Sequence, residues 1–118
     1  MLFAEESWAD VVREAQEIVE ITLKALLRAC RVEVPRIHDV SPVLEQNRDR
    51  LPPVVLEKLG ELTRISKALR RDLELAFYGS EDLTPSEFYT HEDAAAALAD
   101  AREVYQVVRD ALPAEPAR

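Results

Sequence analysis

The sequence predicts an all-α protein, an antiparallel up-and-down bundle built from three long helices and a short one. Three observations predict it. Apolar residues recur at helical three-and-four spacing through three long segments. No stretch alternates apolar with polar as a half-buried strand requires, and no internal repeat is visible. Only two glycines occur in 118 residues, which excludes phosphate-cradling loops of the GxGxxG and P-loop kinds.

The first periodic segment spans residues 7–31, with Trp8, Val11, Val12, Ala15, Ile18, Val19, Leu23, Leu26, Leu27 and Cys30 in helical register. Ile21 and Ala25 widen the apolar arc to about half the circumference or more, so this helix needs cover on more than one side. Glu20 and Lys24 form a favourable i,i+4 pair on its polar side. Pro35 and the β-branched run before it end the helix. Ser41 reads as an N-cap with Pro42 at N1, opening a short helix over 41–50. Pro52 and Pro53 punctuate the next start. Across 54–78, Val55, Leu59, Leu62, Ser66, Leu69, Leu73 and Ala76 step by fours and threes, a seam about 30 Å long. Gly79 is a natural left-handed stop. Thr90 caps the last helix, with Asp93 completing a variant capping box. Ala94, Ala97, Leu98, Ala101, Val104, Tyr105, Val108 and Leu112 form its stripe, and Pro113 stops it.

At this length one domain is expected over 1–118, with its core over 7–112 and a frayed tail at 113–118. Hydrophobic residues make up 47% and charged residues 32%, the balance of a folded soluble chain rather than a disordered one. The net charge of -8 argues against general coating of nucleic acid, which depends on Lys and Arg. Cys30 is the single cysteine, which excludes a disulfide framework and a multi-cysteine zinc site. No apolar run approaches the ~20 residues a bilayer span needs, and the first residues lack a basic region before an apolar stretch. A cytoplasmic protein without a membrane role is the expectation.

The loop over 32–40 is the richest chemistry. Arg36, His38 and Asp39 bring a guanidinium, an imidazole and a carboxylate together. Arg36 can hold a phosphate, His38 can act as general acid or base, and Asp39 can fix its tautomer. The plainer reading is that His38 and Asp39 bond nearby backbone and cap the following helix. Arg31 and His38 match a loose Arg-x4-6-His spacing, a weak signal in a chain this rich in arginine. Arg64, Lys67 and Arg71, with Arg70 at the margin, form a basic helical face. Such a face can receive phosphates or an acidic partner, or simply pair with local acids. Tyr78, Phe88, Tyr89 and Tyr105 can stack on a base, but Phe77 and Tyr105 fit helix stripes and read as core. His91 reads as a first-turn surface residue, and Cys30 as an inert core thiol. No metal site, cofactor motif, HExxH or Ser-His-Asp context is present.

Four blocks in order resemble the HEPN family (higher eukaryotes and prokaryotes nucleotide-binding). Trp8-Ala9-Asp10-Val11-Val12-Arg13-Glu14-Ala15-Gln16-Glu17, continuing to Leu23-Lys24-Ala25-Leu26-Leu27, resembles its core helix. Val34-Pro35-Arg36-Ile37-His38-Asp39-Val40 resembles its Pro-x-x-His-Asp-hydrophobic loop. Glu74-Leu75-Ala76-Phe77-Tyr78-Gly79 and Tyr89-Thr90-His91-Glu92-Asp93-Ala94 resemble two later blocks of one prokaryotic branch. The likeness covers nearly the whole chain, from Trp8 to Leu112.

The resemblance implies a helical bundle, commonly a homodimer, often paired with a minimal nucleotidyltransferase in a toxin–antitoxin or substrate-binding system. Some members are metal-independent ribonucleases using Arg-x4-6-His near the dimer interface. Two departures stand out. Arg71, followed by Asp72, best matches the motif arginine, but Ala76, Phe77 and Tyr78 stand where its histidine belongs. The family usually carries another helix before this first one, and only seven residues precede Trp8. The expectation is a dimeric module binding a nucleotide or RNA beside a nucleotidyltransferase partner. Arg36, His38, Asp39, Arg64 and Arg71 are its phosphate-site residues, and Tyr78 its stacking residue. The alternatives are a ribonuclease toxin, with His38 and Arg71 as catalytic candidates, and a non-catalytic interaction module. No cofactor is implied.

Overall fold

The computed structural model describes residues 8–78 and 89–112, and side chains over 8–71 and 89–112. Helix α1 is Trp8–Ala29, α2 is Ser41–Gln46, α3 is Pro53–Glu57, α4 is Leu59–Tyr78 and α5 is His91–Ala111. A 3-10 turn, Arg48–Arg50, lies between α2 and α3, and no strand occurs among the described residues. The residues before Trp8, where the sequence reading leaves open whether the family's usual first helix is lacking, the Gly79 stop and the 113–118 tail fall outside them.

The buried side of α1 carries Val11, Val12, Ala15, Val19, Leu23, Leu26 and Leu27, as the spacing predicts. Its end falls within two residues of the predicted one, at Ala29, but a different feature stops it. Arg31 takes a left-handed φ of 63°, its N–H donates to the Arg28 carbonyl, and the Val32 N–H donates to the Leu27 carbonyl at 2.9 Å. This is a Schellman motif, closed by the buried pair Leu27 and Val32. The helix therefore ends well before Pro35. An arginine at this position carries the left-handed strain that glycine avoids. Replacing Arg31 by glycine is expected to raise stability by about 0.5–1 kcal/mol, read as a higher urea midpoint.

Ser41 is not an N-cap but the first helical residue of α2, with Pro42 in the first turn after Val40. The carboxylate of Asp39 receives the Ser41 N–H instead, at 3.0 Å. That helix stops at Gln46, where the Asn47 side chain donates to the Val43 carbonyl, and the chain tightens into the 3-10 turn. The segment read as one helix from 54 is two, separated at Lys58, whose N–H donates to the Val55 carbonyl. The seam survives the break: Val55, Leu59, Leu62, Ser66 and Leu69 are all buried. Leu73 and Ala76 lie outside the described side chains.

On α5 the predicted capping box is present. The Asp93 N–H donates to Thr90 Oγ at 3.2 Å, and the Thr90 N–H donates to Asp93 Oδ2 at 2.9 Å. Ala94, Ala97, Ala101, Val104 and Val108 are buried. Tyr105 is not core: it is 49% exposed, because one residue past Val104 turns it about 100° away from the buried line.

The bundle is organised around α1, which packs against α5 along most of its length and against α4 along another side. Trp8 and His91 meet edge to face, ring centroids 5.1 Å apart, so α1 and α5 begin at the same end. Between them α4 runs the opposite way, with Arg64 reaching Asp100 on α5. The short helices close the core, α2 against α4 and α3 against α5, with Leu44 and Val55 fully buried. One side of α1 is left open by the other described helices. Ile18 is 42% exposed and Ile21 66%, so the described helices cover the broad apolar arc only in part.

Candidate ligand site between the first helix and the fourth

The loop from 32 to 40 is pinned at two points. Val32 and Val40 are buried, while Arg36, Ile37 and His38 between them are exposed. The Ile37 N–H donates to the Pro35 carbonyl, tightening the turn before His38.

His38 and Asp39, neighbours in sequence, bind opposite partners. His38 Nδ1 lies 3.0 Å from Glu20 Oε1 on α1, with the imidazole 60% exposed. Glu20 also receives Lys24 Nζ at 2.8 Å and Gln16 Nε2 at 3.1 Å. Burial pushes the Glu20 carboxyl up, but hydrogen bonds from Lys24, His38 and Gln16 outweigh it and hold the group below the usual carboxylate range. An ionised carboxylate can only accept, so this contact assigns the proton to His38 Nδ1. In the neutral ring Nε2 is then an acceptor able to take a proton, and in the charged ring it is a donor able to hold a phosphate.

Asp39 Oδ1 accepts from the Ser41 N–H at 3.0 Å, from Ser41 Oγ at 2.6 Å and from Ser66 Oγ of α4 at 2.7 Å. Burial raises its carboxyl, and these bonds with the nearby Lys67 charge lower it further than burial raises it. Asp39 therefore does not fix the His38 tautomer, as the sequence suggested. Its one accepting oxygen is occupied by two buried serines, and Glu20 orients the histidine. The backbone-capping reading holds for Asp39, and a tertiary contact takes its place for His38.

The sequence-predicted phosphate residues divide between two sides of α4. Ser66 faces the loop; Arg64, two residues earlier, is about 200° around the helix. The Arg64 guanidinium pairs with Glu61 and lies 3.7 Å from Asp100. Arg71, two turns on, shares that side and is exposed. Lys67, also exposed, is the basic residue of α4 whose charge reaches Asp39. Tyr78 ends α4, with its side chain outside the described set.

Beside Arg64 opens a cleft of about 430 Å³ between the helices, floored by Val12, Leu69 and Ala97 and rimmed by Asp93 and Asp100. Burial pushes the Asp100 carboxyl up, more than the Arg64 charge brings it down. Arg64 is thus a local ion-pair partner, flanked by acids, and a poorer phosphate contact than its sequence position suggested.

His91 stays at the surface against Trp8 and 3.9 Å from Glu92. Cys30 is half-buried at the core's edge rather than inside it, and burial pushes its thiol up, toward the unreactive protonated form. No group of three or more His, Cys, Asp or Glu able to hold a metal occurs among the described residues. None of their helices is long and apolar enough to cross a membrane.

Sequence reasoning missed Glu20 as the partner of His38, and Ser66 as the partner of Asp39. Ser66 carried a signal, a polar residue at an apolar seam position. Glu20 carried none, since its pairing with Lys24 already explained it.

No curated protein and no solved structure was found to match the chain. The family model of the HEPN domain matches residues 1–111, and with its all-helical bundle the chain belongs to the HEPN family.

Proposed function

We propose that this protein is a homodimeric HEPN module that binds a nucleotide or an RNA end through the loop between α1 and α2, working beside a nucleotidyltransferase partner. Membership in the family implies a nucleotide- or RNA-related, or nuclease-like, function. The observation that carries the finer reading is the Glu20–His38 contact. It holds an exposed imidazole in one orientation, beside Lys24 and two residues from the exposed Arg36. Charge-assisted bonds from such groups suit phosphate oxygens. Lys67 on the other flank extends the cationic surface, whereas Arg71 lies further along α4 on the side of Arg64. The nucleotidyltransferase partner and any toxin–antitoxin role rest on the family resemblance of the later blocks.

Binding of a short labelled single-stranded RNA, followed by fluorescence anisotropy across a salt series, tests this reading. About three engaged phosphates correspond to a log–log salt slope of about -2. His38→Ala and Arg36→Ala are each expected to weaken binding about tenfold. Undetectable binding of RNA and mononucleotides at low salt, or affinities untouched by both substitutions, would overturn it.

A ribonuclease is the second reading, favoured by the same contact. With the proton on Nδ1, neutral His38 offers Nε2 to take the proton of a ribose 2′-OH as that oxygen attacks the adjacent phosphate; the bond from phosphorus to the 5′ oxygen breaks, leaving a 2′,3′-cyclic phosphate and a 5′-hydroxyl that takes its proton from water. Cleavage of RNA in chelator by the wild type, lost in His38→Ala and in Arg71→Ala, would establish it.

A further inference from the structure

We propose that the cleft between α1, α4 and α5 is a second binding site, and that its ligand is a free basic α-amino acid. The site goes beyond the reading of the His38 loop and does not rest on it, because Arg64 and the loop partner Ser66 stand on different sides of α4. The described residues leave about 430 Å³ there, a volume within the range of small-molecule sites. Val12, Leu69 and Ala97 form its apolar floor, and the buried Tyr89 also lines it.

Three charged groups among the described residues line the cleft: Arg64, Asp93 and Asp100. Together they carry one negative charge, and their order selects the ligand. Asp93, Ala97 and Asp100 share one face of α5, so the two carboxylates stand at opposite ends of an alanine strip, about 10 Å apart along the axis. Arg64 belongs to the Asp100 end, its Nη2 3.7 Å from Asp100 Oδ1. That distance is too long for a direct hydrogen bond, so the pair is loose. Glu61 receives Arg64 Nε, while Nη2 is turned to Asp100. At the far end, Asp93 Oδ2 accepts the Thr90 N–H, and Oδ1 is the oxygen for the ligand.

A cation beside an anion at one end, and an anion at the other, are complementary to three charges of opposite sign. An α-carboxylate and an α-ammonium, joined through one carbon, meet Arg64 and Asp100 together. A second ammonium on a four-carbon stem reaches toward Asp93, and a hydrogen bond of about 2.8 Å at each end completes the span. The stem lies along Ala97, Leu69 and Val12, where apolar surface leaves water. Burial already pushes the Asp100 carboxyl up, so an arriving ammonium stabilises its charge more than it would in open water. An apolar amino acid brings no charge to Asp93, and a simple diamine brings none to Arg64.

Calorimetric titration of the whole chain with L-lysine is expected to show one site with a dissociation constant of about 0.1 mM. Norleucine, which lacks the terminal ammonium, and cadaverine, which lacks the carboxylate, are each expected to bind at least about tenfold more weakly. Asp100→Asn and Arg64→Gln are each expected to weaken lysine at least about tenfold. Asp93→Asn keeps an oxygen for the Thr90 N–H; it is expected to bring lysine down to the affinity of norleucine and to leave norleucine unchanged. An unchanged circular dichroism spectrum shows that each variant keeps the fold. No binding of lysine at about 10 mM overturns the inference, as does norleucine or cadaverine binding as tightly as lysine. So does a lysine affinity that Asp100→Asn and Arg64→Gln leave untouched. Each of these results leaves RNA binding at the His38 loop standing.

Discussion

Replacing Asp39 by alanine is expected to destabilise the fold by about 2–4 kcal/mol. The carboxylate accepts from the Ser41 N–H and from the hydroxyls of Ser41 and Ser66, tying the loop to both α2 and α4. Ser41 is fully buried and Ser66 is 4% exposed, so losing their acceptor leaves polar groups that water reaches poorly. Asp39 itself is half-buried, and the bonds share one oxygen, so the loss is smaller than the sum of three charged bonds. Asp39→Asn, which keeps an accepting oxygen, is expected to cost about half as much. Asp39→Ala combined with Ser66→Ala is expected to cost less than the sum of the two, since the orphaned hydroxyl is removed with its acceptor. Urea midpoints of the wild type, the three single variants and the double variant measure all of this.

The same group predicts how stability depends on acid. Asp39 and Glu20 both titrate lower in the folded chain than when free. Their stabilising contribution is therefore complete above the unfolded value, about 4, and is lost as pH falls through the lower folded value. The unfolded chain binds these protons first, so acid favours unfolding. Between about pH 2 and 4 the stability of Asp39→Ala is expected to fall less steeply than that of the wild type. An identical acid limb in both would remove Asp39 from this explanation.

Leu23→Ala is expected to cost about 2–5 kcal/mol, the range for a leucine cut back in a closed core. Leu23 has no exposed surface, on the side of α1 that meets the rest of the bundle. Ile21→Ala, two residues earlier, is expected to change the stability of the single chain by no more than about 0.5 kcal/mol. The two side chains are similar in volume, and their difference lies in what covers them. Thermal or urea unfolding at low protein concentration, where association does not contribute, separates them. A large loss at Ile21 under those conditions would mean that the chain itself covers this residue.

Much of the fold was legible before the structure. The capping box of Thr90 and Asp93, the Glu20–Lys24 pair and the buried seam of Val55, Leu59 and Leu62 each depend on residues a turn or so apart, where helical geometry dictates who meets whom. Helix ends were less legible. Arg31 takes the left-handed stop that glycine usually marks, so no residue type signalled it. The break at Lys58 was hidden because α3 and α4 bury the same side of one continuous seam.

The candidate site was legible as a composition and not as an arrangement. Arg36, His38 and Asp39 were visible together, and the nearest carboxylate was the natural partner for the imidazole. The packing of the loop decided otherwise: His38 reaches α1 while Asp39 reaches α4. The sequence by itself determined that the chain is helical, where three long apolar stripes run, and which residues carry charge, because these follow from local spacing. Only the tertiary structure decided that Glu20 holds His38, that Arg64 belongs to Glu61 and Asp100, and that Ile21 faces outward while Leu23 faces in. Those facts depend on which helix packs against which, and α1 has more apolar surface than the other described helices cover.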